Sequence, residues 1–275
     1  MASVDTSLPP EPTGLAGRLA EAHSAELPLK LYGGWFCPFV QRSWITLEEK
    51  GVKEYQYVEI NPYNKDPEFM ALNPRGLVPT LAVPVGEDGK DQRPLYESLI
   101  ICEYLDEAYG GDDERLLPKG VYERSRARLW INHISTKIVP SFYKLLQHTP
   151  EKSFSLDDAR AELHKHIRSF VVEMSSDGPW FYGRTFSMVD IALAPWAKRL
   201  WLIDYYKEGG TGIPAVDGDE VWCRWKKWMQ VVTQRQSVLD TCSSDERYIL
   251  AYKRYAEDKT FSEVGQATRT GGALP

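Results

Sequence analysis

The sequence has 275 residues, 43% of them hydrophobic, with 33 basic and 39 acidic side chains giving a formal net charge of −6. That is enough chain for one large domain or two of ordinary size with real cores, which sets disorder aside for most of it. No stretch approaches the roughly 20 apolar residues of a membrane helix, no long basic run offers a nucleic-acid surface, and the first 30 residues lack a basic segment followed by an apolar block.

Four cysteines, Cys37, Cys102, Cys223 and Cys242, lie too far apart for a zinc site or a secreted disulfide scaffold. The expectation is a cytoplasmic protein with no metal, no nucleic-acid partner and no membrane span.

Residues 1–26, with Pro9, Pro10, Pro12, Gly14 and Gly17, read as a flexible extension. Residues 29–32 read as a strand, 38–50 as a helix opened by Pro38 and closed by Gly51, and 54–60 as an alternating strand. A polar loop at 61–66 and a short helix at 67–72 follow. Residues 73–79 form a turn into a strand that runs to 83, and Gly86 to Gly89 supply a hairpin turn. A returning strand at 94–97 leads into a helix at 98–109, ended by Gly110 and Gly111. The order β-α-β-α-β-β-α defines an α/β domain over 27–110.

A Gly-, Asp- and Pro-containing linker at 111–121 precedes an all-α domain over 122–257. Helices are expected near 122–147, 156–175, 187–205, 219–235 and 245–257, with Ser187 and Asp190 giving a capping-box-like start. Trp222, Trp225 and Trp228 recur every three residues, first of all a sign of core or groove packing. The basic cluster Arg224 to Lys227 reads as a solvated helix face. Residues 258–275 are polar and Gly-rich and read as a flexible tail.

The most informative short run is Gly33-Gly34-Trp35-Phe36-Cys37-Pro38-Phe39, where an apolar strand breaks at two glycines and a cysteine precedes the proline that opens a helix. Proline suits the first helical turn because its missing N–H would be unpaired there anyway. A cysteine at such a helix start meets free backbone N–H groups and the positive end of the helix dipole, which stabilise a thiolate. On this feature alone, a small apolar cap is an equally good reading.

Further strings shift the balance: Asn73-Pro74-Arg75-Gly76-Leu77-Val78-Pro79, then Tyr96-Glu97-Ser98, occur in order within the β-α-β-α-β-β-α unit, with helices beyond. The chain resembles a cytosolic glutathione transferase. The cysteine at 37, with Cys102-Glu103-Tyr104-Leu105-Asp106-Glu107-Ala108-Tyr109, makes it similar to the omega class. The resemblance implies a thioredoxin-like N-terminal domain followed by an all-helical one, with glutathione as co-substrate. It implies Cys37 as catalytic nucleophile and Phe39 beside the glutathione cysteinyl group. Val78, before a cis Pro79, would pair its backbone with the tripeptide. Glu97 would take the γ-glutamyl ammonium, Ser98 the α-carboxylate, and Lys65 the glycyl carboxylate, although one inserted residue sets Lys65 off the usual spacing. Arg199 and Trp228 match positions lining an acceptor pocket between the domains, and the family implies a homodimer.

Position 40 is Val40, so no second cysteine stands where a dithiol oxidoreductase keeps one. The expected chemistry is therefore monothiol, with small hydrophobic or thiol and disulfide substrates and weak conjugation to electrophiles. Alternatives on the same fold are an isomerase, lyase or dehalogenase, or a non-enzymatic carrier of aromatic ligands. A membrane-inserting relative is disfavoured by Gln41, Arg42, Glu48, Glu49 and Lys50 in the first helix. Cys102, among Leu99, Ile101 and Leu105, reads as a buried structural thiol. Cys223 and Cys242 carry no functional signal. Asp190 reads as a folding cap without catalytic duty.

Overall fold

The computed structural model describes residues 8–62, 64–86, 91–111, 114–214 and 218–275. All but the first residue of the hairpin turn expected over 86–89, the start of the expected extension and part of the expected linker lie outside them. The chain divides into two compact units. One runs to Arg115 and includes Arg235–Ala251, and the other comprises Leu116–Gln234 and Tyr252–Pro275.

The first unit is built on a four-stranded sheet in the order β2-β1-β3-β4, with β1 at Lys30–Gly33, β2 at Gln56–Glu59, β3 at Thr80–Val85 and β4 at Asp91–Tyr96. β1 and β2 run parallel, and the other two pairings are antiparallel. A parallel pair needs a crossover, here α2 at Pro38–Glu49, with Pro38 as its first residue. Gly51 follows the C-cap Lys50 at a φ of +62°, a conformation that stops the helix cheaply only with glycine. In α2, Trp44 stacks on Tyr57 of β2 at 4.2 Å and donates its indole N–H to the Tyr55 hydroxyl at 2.9 Å. The Lys50 ammonium pairs with Asp106 of α4 (Ser98–Ala108) at 3.1 Å with both side chains buried, tying the end of the crossover helix to the next one.

The expected flexible extension is corrected: α1 forms over Gly14–Ala22, with Ala16 fully buried. Its anchors lie far along the chain. The Ala16 amide donates to the Cys242 carbonyl at 3.1 Å, the Thr13 amide donates to the Ser243 hydroxyl at 3.2 Å, and the His23 ring stacks on Tyr55 at 3.8 Å. Residues 235–251, expected in the helical domain, belong to the sheet unit instead. They include α11 (Gln236–Asp240) and the first part of α12 (Asp245–Ala256). Arg235 grips the Glu49 carboxylate with Nε and Nη2, both at 2.6 Å.

The second unit is all helical. The single helix expected over 122–147 is three pieces: α5 (Val121–His133), one π turn (Ile134–Ile138) and α6 (Val139–Leu146). Pro140 has no N–H for the regular ladder, and the backbone widens just before it. α7 (Leu156–Val171) starts with a capping box in which Ser155 and Asp158 bond each other's backbone. The stretch expected over 187–205 divides into α8 (Met188–Ala197) and α9 (Trp201–Tyr206). α10 spans Glu220–Val232, and its Trp222, Trp225 and Trp228 are all buried. The expected flexible tail contains α13 (Glu263–Thr270), whose cap Ser262 accepts from the Gly265 amide at 3.0 Å. Among the described residues no helix is long and apolar enough to cross a membrane.

Candidate functional site

Cys37 is the N-cap of α2, with φ −79° and ψ 119°. Its amide donates to the Gly34 carbonyl at 2.9 Å and its carbonyl accepts the Gln41 amide at 3.1 Å, so a tight turn feeds straight into the helix. That turn requires glycine at 33, because a Cβ there would lie 2.6 Å from Val40 Cγ1. The thiol is half-buried, and Sγ lies 4.0 Å from the Val78 carbonyl oxygen. The Val78-Pro79 peptide bond is cis.

Around Val78 the 73–77 turn is held by one side chain. Asn73 Nδ2 donates to the Leu77 carbonyl at 3.2 Å and to Thr80 Oγ1 at 2.9 Å, while its Oδ1 accepts the Arg75 amide at 3.2 Å. The Lys65 side chain lies against this turn, its Nζ 3.0 Å from where a Cβ on Gly76 would stand. The loop carrying Lys65 is thereby brought to the Val78 turn.

Glu97 and Ser98 stand at the start of α4. Glu97, at a φ of +68°, is the N-cap, and Ser98 is the first helical residue. Ser98 is buried, and its hydroxyl accepts from Arg42 Nη1 at 3.4 Å. The Arg42 guanidinium, itself buried, also lies 5.5 Å from the centre of the half-buried Phe39 ring. The Glu97 carboxylate meets Arg75 Nη1 at 2.9 Å, both side chains about half exposed, and the Arg75 guanidinium lies 5.9 Å from the Tyr96 ring.

The first unit therefore gathers Cys37, Phe39, Val78 and Ser98 around the start of α2. It adds Arg42, Asn73 and Arg75, which sequence reasoning missed. Arg75 stood inside a quoted motif, but its partner Glu97 is 22 residues away. Arg42 falls one turn after Cys37, and its partner is 56 residues away.

Arg199 and Trp228 are not in this group, since both lie in the helical unit and are buried. The Trp228 indole N–H donates to Asp190 Oδ1 at 2.8 Å, and Arg199 Nη1 donates to the Pro195 carbonyl at 2.8 Å. Asp190 also accepts the Phe181 amide at 2.9 Å, the Ser187 amide at 2.9 Å and the Ser187 hydroxyl at 2.8 Å. Trp228 is thus a strut of the α8 cap, a correction to its expected place on a pocket wall. Cys102 is fully buried, and burial pushes its thiol up to about 11, which suits an inert core thiol. Cys242 is buried and accepts from Gln41 Nε2 at 3.1 Å, whereas Cys223 is exposed. Among the described residues, no group of three or more His, Cys, Asp or Glu could hold a metal ion.

A sheet unit with a cysteine at a helix N-cap beside a cis-proline turn, joined in sequence to an all-helical unit, defines a thioredoxin-like class of protein. The glutathione S-transferase N-terminal domain family matches residues 36–108, and the corresponding C-terminal domain family matches residues 153–230. Glutathione S-transferase omega-1 of Sus scrofa is 35% identical over 173 residues, 62% of this chain and 67% of its own length. The crystal structure of glutathione transferase Omega 3C from Trametes versicolor superposes with a TM-score of 0.72 at 39% identity, covering 86% of this chain and 99% of that one. A rice glutathione transferase solved in complex with glutathione gives a TM-score of 0.67 at 25% identity, covering 86% and 100%. The chain belongs to the glutathione S-transferase family, in its omega class.

Proposed function

We propose that the protein is a monothiol, glutathione-dependent thioltransferase. The observation that carries this is Cys37 at the N-cap of α2, half-buried beside the Val78 carbonyl, with Val40 where a resolving cysteine would stand. The helix start favours a thiolate. That thiolate attacks the glutathionyl sulfur of a mixed disulfide, forming a Cys37–glutathione disulfide and releasing the substrate as a thiolate that takes a proton from water. A second glutathione thiolate attacks the glutathionyl sulfur of the Cys37–glutathione disulfide, freeing Cys37 and leaving oxidised glutathione. An S-glutathionyl ketone would enter the same cycle at its glutathionyl sulfur, with the enolate leaving and taking a proton from water. Dehydroascorbate would accept the Cys37 thiolate at a carbonyl carbon, after which a glutathione thiolate attacks Sγ, forming the Cys37–glutathione disulfide and releasing ascorbate.

In this reading Val78 offers its backbone N–H and C=O to the tripeptide, Phe39 lies beside its cysteinyl group, and Glu97 with Ser98 takes the γ-glutamyl end. Lys65 reaches the glycyl carboxylate. The two-fold dimer usual for the family, at a cytoplasmic location, completes the reading. The test is turnover of a small glutathionyl mixed disulfide by the native protein and by Cys37→Ser, alongside conjugation of glutathione to an aromatic halide. The serine variant is expected to lose nearly all disulfide reduction and to gain conjugation, because a hydroxyl cannot form a disulfide but can hydrogen-bond a glutathione thiolate. Retention of most reductase activity by the variant would refute the reading.

A further inference from the structure

A half-buried acid stands next to the turn that delivers Cys37. Glu59 is the last residue of β2 and pairs in register with Gly33, the last residue of β1. Its Oε1 accepts the Trp35 amide at 3.0 Å, and its Oε2 accepts the Tyr57 hydroxyl at 2.8 Å. A Cβ on Gly34, whose carbonyl receives the Cys37 amide, would lie 3.7 Å from Oε1, and one on Gly33 would lie 3.3 Å from the Tyr57 hydroxyl. The Glu59 carboxyl and the Tyr57 phenol therefore line the inner side of the Gly33–Cys37 turn. The indole of Trp35 is fixed from its other side by the Pro9 carbonyl at 3.0 Å and by the Tyr248 ring at 5.6 Å.

We propose that Glu59 is a positioning residue for Cys37: its carboxyl clamps the Trp35 amide so that the turn presents the thiol at the helix start, and its charge state sets how reactive that thiol is. The ionisable groups around it are Tyr57 on its own strand and Glu11 from the N-terminal segment, while Cys37 at the start of α2 and Tyr248 of α12 act on Tyr57. Burial pushes the Glu59 carboxyl up to about 8, against the lowering effect of the Trp35 and Tyr57 donors, and Glu11 adds to the rise. At neutral pH the Cys37 thiolate then faces a neutral neighbour, and above that range it faces a second negative charge.

A like charge held beside the turn that carries Cys37 makes the thiolate more basic and hence more nucleophilic. A displacement of the Cys37 titration by about half to one pH unit, with a Brønsted slope of about 0.4–0.5, changes its intrinsic reactivity about two- to threefold. The inference concerns the thiol itself and does not depend on the thioltransferase reading, so the test uses no glutathione. The rate of Cys37 alkylation by iodoacetamide, followed by peptide mass spectrometry to separate it from Cys223, is measured from pH 5 to 10 in the native protein, in Glu59→Gln and in Tyr57→Phe. Glutamine keeps an acceptor for the Trp35 amide and cannot ionise. The native profile should show the Cys37 step and a further two- to threefold change near pH 8. Glu59→Gln should lose that further change, and Tyr57→Phe should move it to higher pH by removing a donor to the carboxylate. If Cys37 itself titrates near 8, the single step should move to lower pH in Glu59→Gln. Coincident profiles for folded native and Glu59→Gln proteins would overturn the proposal.

Discussion

Replacing Asp190 with alanine removes an acceptor shared by four donors: the Phe181 amide, the Ser187 amide, the Ser187 hydroxyl and the Trp228 indole. The lost cap costs about 1 kcal/mol. The Phe181 amide and the Trp228 indole N–H are then left in a region where Phe181 is nearly buried and Trp228 has no exposed surface, at about 1–3 kcal/mol each. The expected loss is about 3–7 kcal/mol, a large part of the roughly 5–15 kcal/mol that holds a typical fold. Guanidinium unfolding followed by circular dichroism measures it, in native, Asp190→Ala, Trp228→Phe and double-variant proteins. A two-unit chain can unfold in two phases, and in that case the loss should fall in one of them. The cycle should give a Trp228–Asp190 coupling of about 1.5–3 kcal/mol, as for a hydrogen bond to a charged group. A loss below about 1 kcal/mol for Asp190→Ala, or a coupling near zero with an altered acceptor KM for Trp228→Phe, would refute the strut and restore Trp228 as a substrate contact.

Calorimetric titration with a glutathione thioether should show Glu97→Ala weakening binding by about 1.5 kcal/mol, roughly tenfold, since a charge-assisted bond at a half-exposed site sits at the low end of its range. Lys65→Ala, in a polar loop, should cost only about 0.2–1 kcal/mol and lose that effect in salt; equal costs would overturn the ranking. Stability should fall as pH rises from about 4.5 to about 8, because over that window the folded protein holds the Glu59 proton more tightly than the unfolded chain does. The slope from this group is at most about 1.4 kcal/mol per pH unit, and Glu59→Gln should flatten it in urea melts at stepped pH. Light scattering at micromolar concentration should give twice the chain mass, and a monomer would refute the dimer.

Much of the sheet unit was legible because its signals are local. Pro38 and Gly51 bound α2, the 67–72 helix begins at Pro67 with Asp66 accepting the Glu68 amide at 2.7 Å, and Cys37 before Pro38 marks the N-cap. α1 was missed because a Pro- and Gly-containing stretch is ordered there by partners some 230 residues away, such as the Thr13–Ser243 hydrogen bond. The shift of 235–251 to the sheet unit has the same origin, since its bonds to α2, among them the Arg235–Glu49 ion pair across 186 residues and the Gln41–Cys242 contact across 201, are long-range. At the candidate site, motif residues were readable one by one. Their partners were not: Arg42 on Ser98, Arg75 on Glu97 and Glu59 on Trp35 are tertiary pairings that no periodicity announces.

The most direct test of the central claim is mass spectrometry of the protein after incubation with oxidised glutathione, with peptide mapping of the adduct. A Cys37-centred thioltransferase should carry one glutathionyl group on Cys37, released by added reduced glutathione, while buried Cys102 and Cys242 stay unmodified. An adduct confined to exposed Cys223, or none, would contradict it.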